Sequence, residues 1–388
     1  MFEVKKLEGK GKKFLRFISY ILAAAIGAGI MYFAKPADKL EELSGILEER
    51  FIGDTDVTAI EDAAASAMVL ALGDKWSYYI PKSNYDAHVN GQNNVYVGIG
   101  ITIRGREDGI GVDVEQVEPD GPAQKAGMLP GDILIDVDGQ SLAGMNVTQT
   151  KNLVQGEEGT DVTITVLRGG EELAFTMTRS KIQMQVVKYE MLSGDVGYVN
   201  IANFSFHSAE AALAAIEDLR AQGAQALIFD VRNNPGGFVS ELVAVLDYLL
   251  PEGVLFRSVD YKGNEELDMS DASCLELPMA VLVNGNSYSA AEFFAAALSE
   301  YNWATVVGER TTGKGHFQST ITLSDGSAVN LSIGKYTTPN GVNLTETQGI
   351  VPDVEVPVDE ELAAMIYSDL VAPEDDPQIQ AALESLVK

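Results

Sequence analysis

The chain has 388 residues, 46% hydrophobic and 22% charged, which excludes wholesale disorder, a collagen-like repeat and a polytopic membrane protein. A net charge of −30, from 27 basic and 57 acidic residues, repels phosphate backbones and argues against nucleic acid as a partner. The lone Cys274 excludes an intrachain disulfide and a thiolate cluster, and the dispersed His88, His207 and His316 form no HExxH pair, so no metal or other cofactor is expected.

Residues 1–36 read as a basic stub and a membrane anchor. Lys5, Lys6, Lys10, Lys12, Lys13 and Arg16 oppose Glu3 and Glu8, and Phe17 to Ala34 is an uncharged stretch of 18 residues, long enough to cross a bilayer as a helix. The basic flank predicts a cytoplasmic N-terminus with the remainder of the chain outside the membrane. A cleaved signal peptide fits less well, because Tyr32 stands where a small residue is needed before Ala34. Residues 37–92 then read as helical: Leu40, Leu43, Leu47 and Phe51 recur at helical spacing, and an Ala-rich stretch runs to Leu72 before Gly73 stops it. The aromatic turn Leu72 to Tyr79 reads as part of this spacer, with no chemistry of its own.

Between 93 and 181 the period changes to two. Val97–Ile103, Ile110–Val114 and Val162–Val166 alternate as strands do. Asp136 and Asp138 are not a calcium loop, since the twelfth position from Asp136 is Val147 rather than glutamate. The string Pro122-Ala123, Ala126-Gly127 and Gly131 through Gly139 resembles the PAxxAGxxxGDxIxxVDG pattern of PDZ domains. The resemblance implies that Val97, Gly98, Ile99 and Gly100 form the loop whose backbone N–H groups receive a peptide's terminal carboxylate. The peptide itself would add as a strand at the sheet edge.

From 182 to 358 strands alternate with helices, as in an α/β layer. Ala226–Asp230, Met279–Val283 and Ala304–Gly308 are apolar runs of buried-strand length. If they lie parallel in one sheet, the turns that follow them, Asn233 to Gly237, Asn284 to Ser289 and Thr311 to Gly315, converge at its carboxyl edge. That places the Gly236-Gly237 turn, Ser289 and Lys314 within reach of one another. A serine in the first turn of a helix sits among free N–H groups, and a desolvated lysine is able to take its proton during acyl transfer. A P-loop reading of Gly308 to Lys314 fails: Gly315 replaces the magnesium-binding hydroxyl, and Phe317–Leu323 reads as a strand where a helix is needed.

Three segments resemble motifs of the C-terminal processing peptidases, also called tail-specific proteases. They are Val283 to Glu292 (VNGNSYSAAE), Thr312 to Gly315 with Gln318, and Asp230 to Gly237 (DVRNNPGG), joined by the late Gly349-Ile350-Val351-Pro352-Asp353. The resemblance implies a Ser-Lys serine endopeptidase with a crotonase- or Clp-like core. It makes Ser289 the nucleophile, Lys314 the base, Gln318 the lysine's orienting partner, and the backbone of Ala290, Gly236 and Gly237 the oxyanion donors. Tyr288, Ala291 and Thr312 depart from the family pattern without removing a catalytic group, and Gln318 requires a bend at Gly315, because a flat strand would hold it roughly 13 Å from Lys314.

The expectation is a multidomain α/β protein: anchor 1–36, helical segment 37–92, PDZ domain 93–181, peptidase core 182–358 and helical tail 359–388. It would be a single-pass protein of the cell membrane with its catalytic part outside the cytoplasm, taking protein or peptide substrates with free C-termini. The amphipathic tail, with Leu362, Met365, Ile366, Ile379, Ala382, Leu383 and Leu386, suggests a homodimer. The rival reading is a catalytically silent PDZ scaffold that only holds C-terminal peptides.

Overall fold

A computed structural model describes residues 39–388 except Glu107, Asp369 and Lys388. The expected membrane anchor lies outside the described residues, and among those described no helix is long and apolar enough to cross a membrane. The chain divides after Gly73. Within 39–73, helices Lys39–Arg50 and Val57–Leu70 pack on each other, the second capped by the Asp56 carboxylate, which accepts from the Ala59 amide at 3.0 Å.

The unit from Asp74 onwards opens with a departure from the helical expectation. Tyr78–Ile80 is a strand, antiparallel to Ala328–Thr337 and paired through Tyr78↔Asn330 to Ile80↔Ala328. Three residues do not hold a strand alone, and here a preformed sheet edge supplies the hydrogen bonds and a site that buries Ile80. This edge belongs to an antiparallel sheet in which Ala328–Thr337 also pairs with Gly253–Asp260 and His316–Thr322, and Gly253–Asp260 with Glu265–Ser270. Helix Lys82–Gln92 follows.

The expected strand through 97–103 is broken. Val95–Gly98 pairs antiparallel with Ser180–Gln183, whereas Ile101–Gly105 lies at the edge of the next sheet, beside Val112–Val117. Gly100, at φ +78°, turns the chain between them, and the fully buried Ile99 drops into the domain's core with Val112, Leu134, Ile164 and Val166. That sheet continues through Ile133–Val137, Asp161–Arg168 and Glu171–Thr178. Helices Pro122–Ala126 and Val147–Val154 pack beside it, the second under a capping box from Asn146 and Gln149.

In the peptidase-like core, Val187–Leu192, Val196–Ile201, Ala226–Asp230, Met279–Val283, Ala304–Gly308 and Val354–Glu355 form one sheet, parallel except for its first pair. Alternate side chains separate two cores, because successive strand residues point to opposite faces. Leu227, Phe229, Val281 and Val283 meet the helices Ser208–Gln222, Val239–Leu249 and Ala290–Glu300. On the other face, Ile228, Ala280, Leu282 and Val307 meet Ile379 and Ala382 of the last helix, Pro377–Leu386. The apolar stripe of the tail that suggested pairing between copies is therefore spent, in its second helix, on the chain's own sheet.

A buried ionic cluster fastens that helix. Arg232 bonds Asp230 through Nε and Nη2, and through Nη1 reaches Asp376 and Gln378, each at 2.8 Å, with all four residues buried. Burial alone would lower the arginine's pKa, but the facing carboxylates of Asp230 and Asp376 more than reverse this and hold the guanidinium charged. Removing one member leaves an uncompensated buried charge. Asp376→Ala is expected to lower unfolding stability by about 3–5 kcal/mol, read from urea denaturation; a loss below about 1 kcal/mol would show that the cluster does not hold the tail.

Candidate active site

Parallel order in the sheet brings the three turns together at its carboxyl edge. After Met279–Val283, the chain turns through Asn284 to Ser289 into helix Ala290–Glu300. Ser289 has φ 57° and ψ −125°, a conformation that a residue with a Cβ rarely adopts and that costs of order 1–3 kcal/mol. The surrounding bonds impose it. The Ser287 hydroxyl, fully buried, donates to the Val231 carbonyl at 2.7 Å and accepts from the Asn284 amide at 3.0 Å, while the Tyr288 amide donates to the Asn234 carbonyl. Ser289 is thus lifted on a sharp strand-to-helix turn, beside the Ala290 amide at the positive end of a helix.

The turn after Ala226–Asp230 lies directly against it. A Cβ on Gly236, whose φ is +88°, would come within 2.8 Å of both Ser289 Cβ and the Ala290 amide nitrogen, so only glycine allows this approach. One of the expected oxyanion donors is corrected here: the Gly236 amide donates to Asn234 Oδ1 at 2.7 Å, closing a side-chain turn on itself. Gly237 and Ala290 remain as the glycine and helix amides of this corner. The next residues frame an apolar recess lined by Val239, Leu242, Phe256, Phe293 and Tyr336, with Ser289 at its mouth.

The third turn carries Lys314 and is joined to the first by Glu292, whose side chain is fully buried. Its Oε1 accepts from the Thr311 hydroxyl at 2.6 Å and the Gly313 amide at 2.7 Å. Its Oε2 accepts from the Ser289 amide at 3.0 Å and the Lys314 amide at 2.8 Å. One carboxylate oxygen therefore fixes the backbone of both Ser289 and Lys314. Burial lowers the Lys314 pKa to about 8; Asp74 and Glu292 oppose that shift and Lys75 assists it.

Gln318 does not bond Lys314. Its Nε2 donates to the His316 carbonyl at 3.1 Å and the Ser332 hydroxyl at 3.0 Å, within the sheet where His316–Thr322 pairs with Ala328–Thr337. The strand pairs His316↔Lys335 and Phe317↔Gly334 before its register shifts at Gln318↔Ser332. Lys314 Nζ lies 4.5 Å from the ring centroid of Trp76 and 5.6 Å from that of Tyr288. Of the four residues Val97 to Gly100, the first two belong to the strand Val95–Gly98 and the last two to the turn into the PDZ sheet, where the Ile99 and Gly100 carbonyls accept from the Ala123 and Glu118 amides.

The sequence profile of "Peptidase family S41" matches residues 195–356, and that of "PDZ domain" matches 114–168. A "Probable CtpA-like serine protease" of Staphylococcus aureus (strain N315) is 32% identical over 323 residues, covering 82% of this chain and 64% of that protein. A "Carboxyl-terminal-processing peptidase 2, chloroplastic" of Arabidopsis thaliana is 31% identical over 309 residues, covering 76% of this chain and 60% of that one. A solved structure titled "Photosystem II D1 C-terminal processing protease" is 30% identical, covers 86% of this chain and 91% of its own, and has a TM-score of 0.48. Residues 195–356 belong to peptidase family S41. The chain spans less than two thirds of the length of the curated relatives it matches.

Several groups at the site escaped the sequence reading. Glu292 was quoted only as the end of a motif, although Ser289-x-x-Glu292 ahead of an apolar run is a capping-box signature that assigns its carboxylate to the Ser289 amide. Arg232 carries no such local signal, because its partners Asp376 and Gln378 lie 144 and 146 residues away. Trp76, in the aromatic turn read as a spacer, stands beside Lys314.

Proposed function

We propose that this chain is a membrane-anchored serine endopeptidase that cleaves exported proteins near their carboxyl termini, with Ser289 as nucleophile and Lys314 as general base. The observation that carries the reading is the single oxygen of Glu292 that receives the amides of both residues, beside a lysine whose burial depresses its pKa. The Ser289 hydroxyl gives its proton to the neutral Lys314 amine as Oγ bonds to the scissile carbonyl carbon. The carbonyl oxygen becomes an oxyanion facing the amides of Ala290 and Gly237. Collapse breaks the C–N bond, and the departing amine takes the proton back from Nζ. Water then releases the acyl group by the same path, leaving a new carboxylate.

The PDZ domain captures the substrate's carboxyl terminus at the loop Val97 to Gly100, and the exposed edge of Ile101–Gly105 accepts the preceding residues as an added strand. The name of the Arabidopsis relative, a carboxyl-terminal-processing peptidase, supports this choice of substrate end. The uncharged stretch Phe17 to Ala34 and its basic flank support a single-pass anchor with the catalytic part outside the cytoplasm.

An acyl-directed fluorophosphonate probe should label the protein at Ser289. Because the neutral amine is the reactive form, peptide hydrolysis should rise with pH through a midpoint near 8. Lys314→Arg should be as inactive as Lys314→Ala, since a guanidinium stays protonated and accepts nothing. Substantial turnover by Lys314→Arg, or a flat profile between pH 6 and 10, would end the Ser-Lys reading.

A further inference from the structure

The Lys314 amine lies among aromatic rings contributed by two distant parts of the chain. Tyr288 precedes the nucleophile and is the residue at which the VNGNSYSAAE segment carries a ring in place of a small side chain. Trp76 comes from the opposite end of the unit, ahead of the PDZ domain and outside both matched segments, 114–168 and 195–356. The two rings stand 5.3 Å apart with 34° between their planes, and Nζ lies within 6 Å of both centroids, the range in which a ring face attracts a cation.

Trp76 is firmly held through its backbone. Its backbone amide donates to Asp74 Oδ1 at 3.1 Å, and its carbonyl accepts from Asn330 Nδ2 at 3.3 Å. The Ser77 hydroxyl donates to Asp74 Oδ2 at 2.6 Å and accepts from the Ser332 amide at 2.9 Å, and Tyr78–Ile80 then joins the sheet beside Ala328–Thr337. The same sheet carries His316–Thr322, the strand that leaves the Lys314 turn. Trp76 and Lys314 are thus referred to one rigid frame, although 238 positions of sequence separate their numbers. Gln318, the polar partner expected for the lysine, gives its Nε2 to the His316 carbonyl and the Ser332 hydroxyl, and the groups that stand against the amine are the two rings.

We propose that Trp76 and Tyr288 form an aromatic clamp that positions the Lys314 amine toward Ser289 and keeps water from it, so that the segment ahead of the PDZ domain completes the catalytic site. The clamp rests on Lys314 being the general base. The charged groups that act on the amine are Asp74 and Glu292, which favour its protonated form, and Lys75, which opposes it and whose Nζ lies 4.4 Å from the Trp76 centroid. His316 in turn acts on Asp74. Desolvation is the largest influence on Lys314, so opening the clamp to water moves the amine back toward ordinary lysine behaviour, even though a ring that favours the cation is lost with it.

The test uses the full chain with Trp76→Ala and Trp76→Phe, the second keeping an aromatic face. For Trp76→Ala, the midpoint of the pH–rate profile should move to higher pH. At pH 7, kcat should fall roughly 10- to 100-fold with KM unchanged, and rate should recover at alkaline pH; Trp76→Phe should stay near wild type. The lysine amines are also titrated by NMR in a Ser289→Ala background, with Lys314→Ala to assign the signal. This arm reads the clamp without turnover: an upward shift of the Lys314 midpoint in Trp76→Ala supports it, and an unchanged midpoint overturns it. Loss of kcat in Trp76→Ala that is equal at every pH, in a protein with a wild-type thermal melt, also overturns it. Activity retained by Lys314→Ala would instead overturn the assignment of the base, while the NMR arm still decides whether the rings hold the amine.

Discussion

Ser289→Ala is expected to abolish peptide hydrolysis, by a factor of roughly 10⁴ to 10⁶ in kcat, while the protein folds normally. The hydroxyl is the only group lost. The strained backbone at φ 57° is held by bonds from the Glu292 carboxylate and the neighbouring turn, not by the side chain itself. Ser287 offers the opposing control. Its hydroxyl is spent on the Val231 carbonyl and the Asn284 amide, in full burial, so Ser287→Ala should cost about 1–3 kcal/mol of stability yet keep a nucleophile in place. Single-turnover assays with a fluorogenic peptide, paired with denaturation curves, separate the two. If the loss of activity belongs to Ser287→Ala and Ser289→Ala turns over, the nucleophile has been misassigned.

Glu292→Gln should also damage the enzyme, though less than loss of the nucleophile, without touching a reacting atom. The carboxylate meets two pairs of donors: Thr311 and Gly313 on one oxygen, Ser289 and Lys314 on the other. An amide of the same shape must turn its NH₂ toward one pair, and each pair contains a backbone N–H that cannot reverse its role. Donor then faces donor in a site closed to water. The expected cost is about 2–5 kcal/mol of stability, and a fall in kcat of about 100-fold, because the serine and lysine turns lose their common anchor and a displacement near 1 Å suffices for that. A Glu292→Gln protein with wild-type kcat and an unchanged urea midpoint would show that the anchor is dispensable.

How much of this was legible beforehand depended on how local the cause was. Three runs of buried-strand length, each ended by a turn rich in Asn, Gly or Ser, put the turns at one edge on the condition that the strands lie parallel, which the sheet meets. Motifs confined to ten residues placed Ser289, Ala290, Gly237 and Lys314, because a sharp strand-to-helix turn and a close backbone approach need particular residues at fixed offsets.

Other features were set by partners far along the chain. Gln318 was assigned to Lys314 by resemblance to the family motif, but the pairing with Ala328–Thr337 shifts register at Gln318 and sets its amide against Ser332. Gly236 was counted as an oxyanion donor, and the Asn234 side chain had already claimed its amide. Trp76 read as part of a spacer, since nothing in the stretch from Leu72 to Tyr79 announces that Tyr78–Ile80 will find a sheet edge and lay an indole against Lys314.

By itself, then, the sequence determined the order of the PDZ and peptidase segments and the alternation of the α/β layer, which follow from local motifs and periodicity within a few residues. Only the tertiary structure decided which donors remain free, which carboxylate ties the serine and lysine turns together, and which rings enclose the amine. Hydrogen-bond capacity and burial are shared among all the segments that meet at a point, and a one-dimensional pattern does not say which of them arrives there.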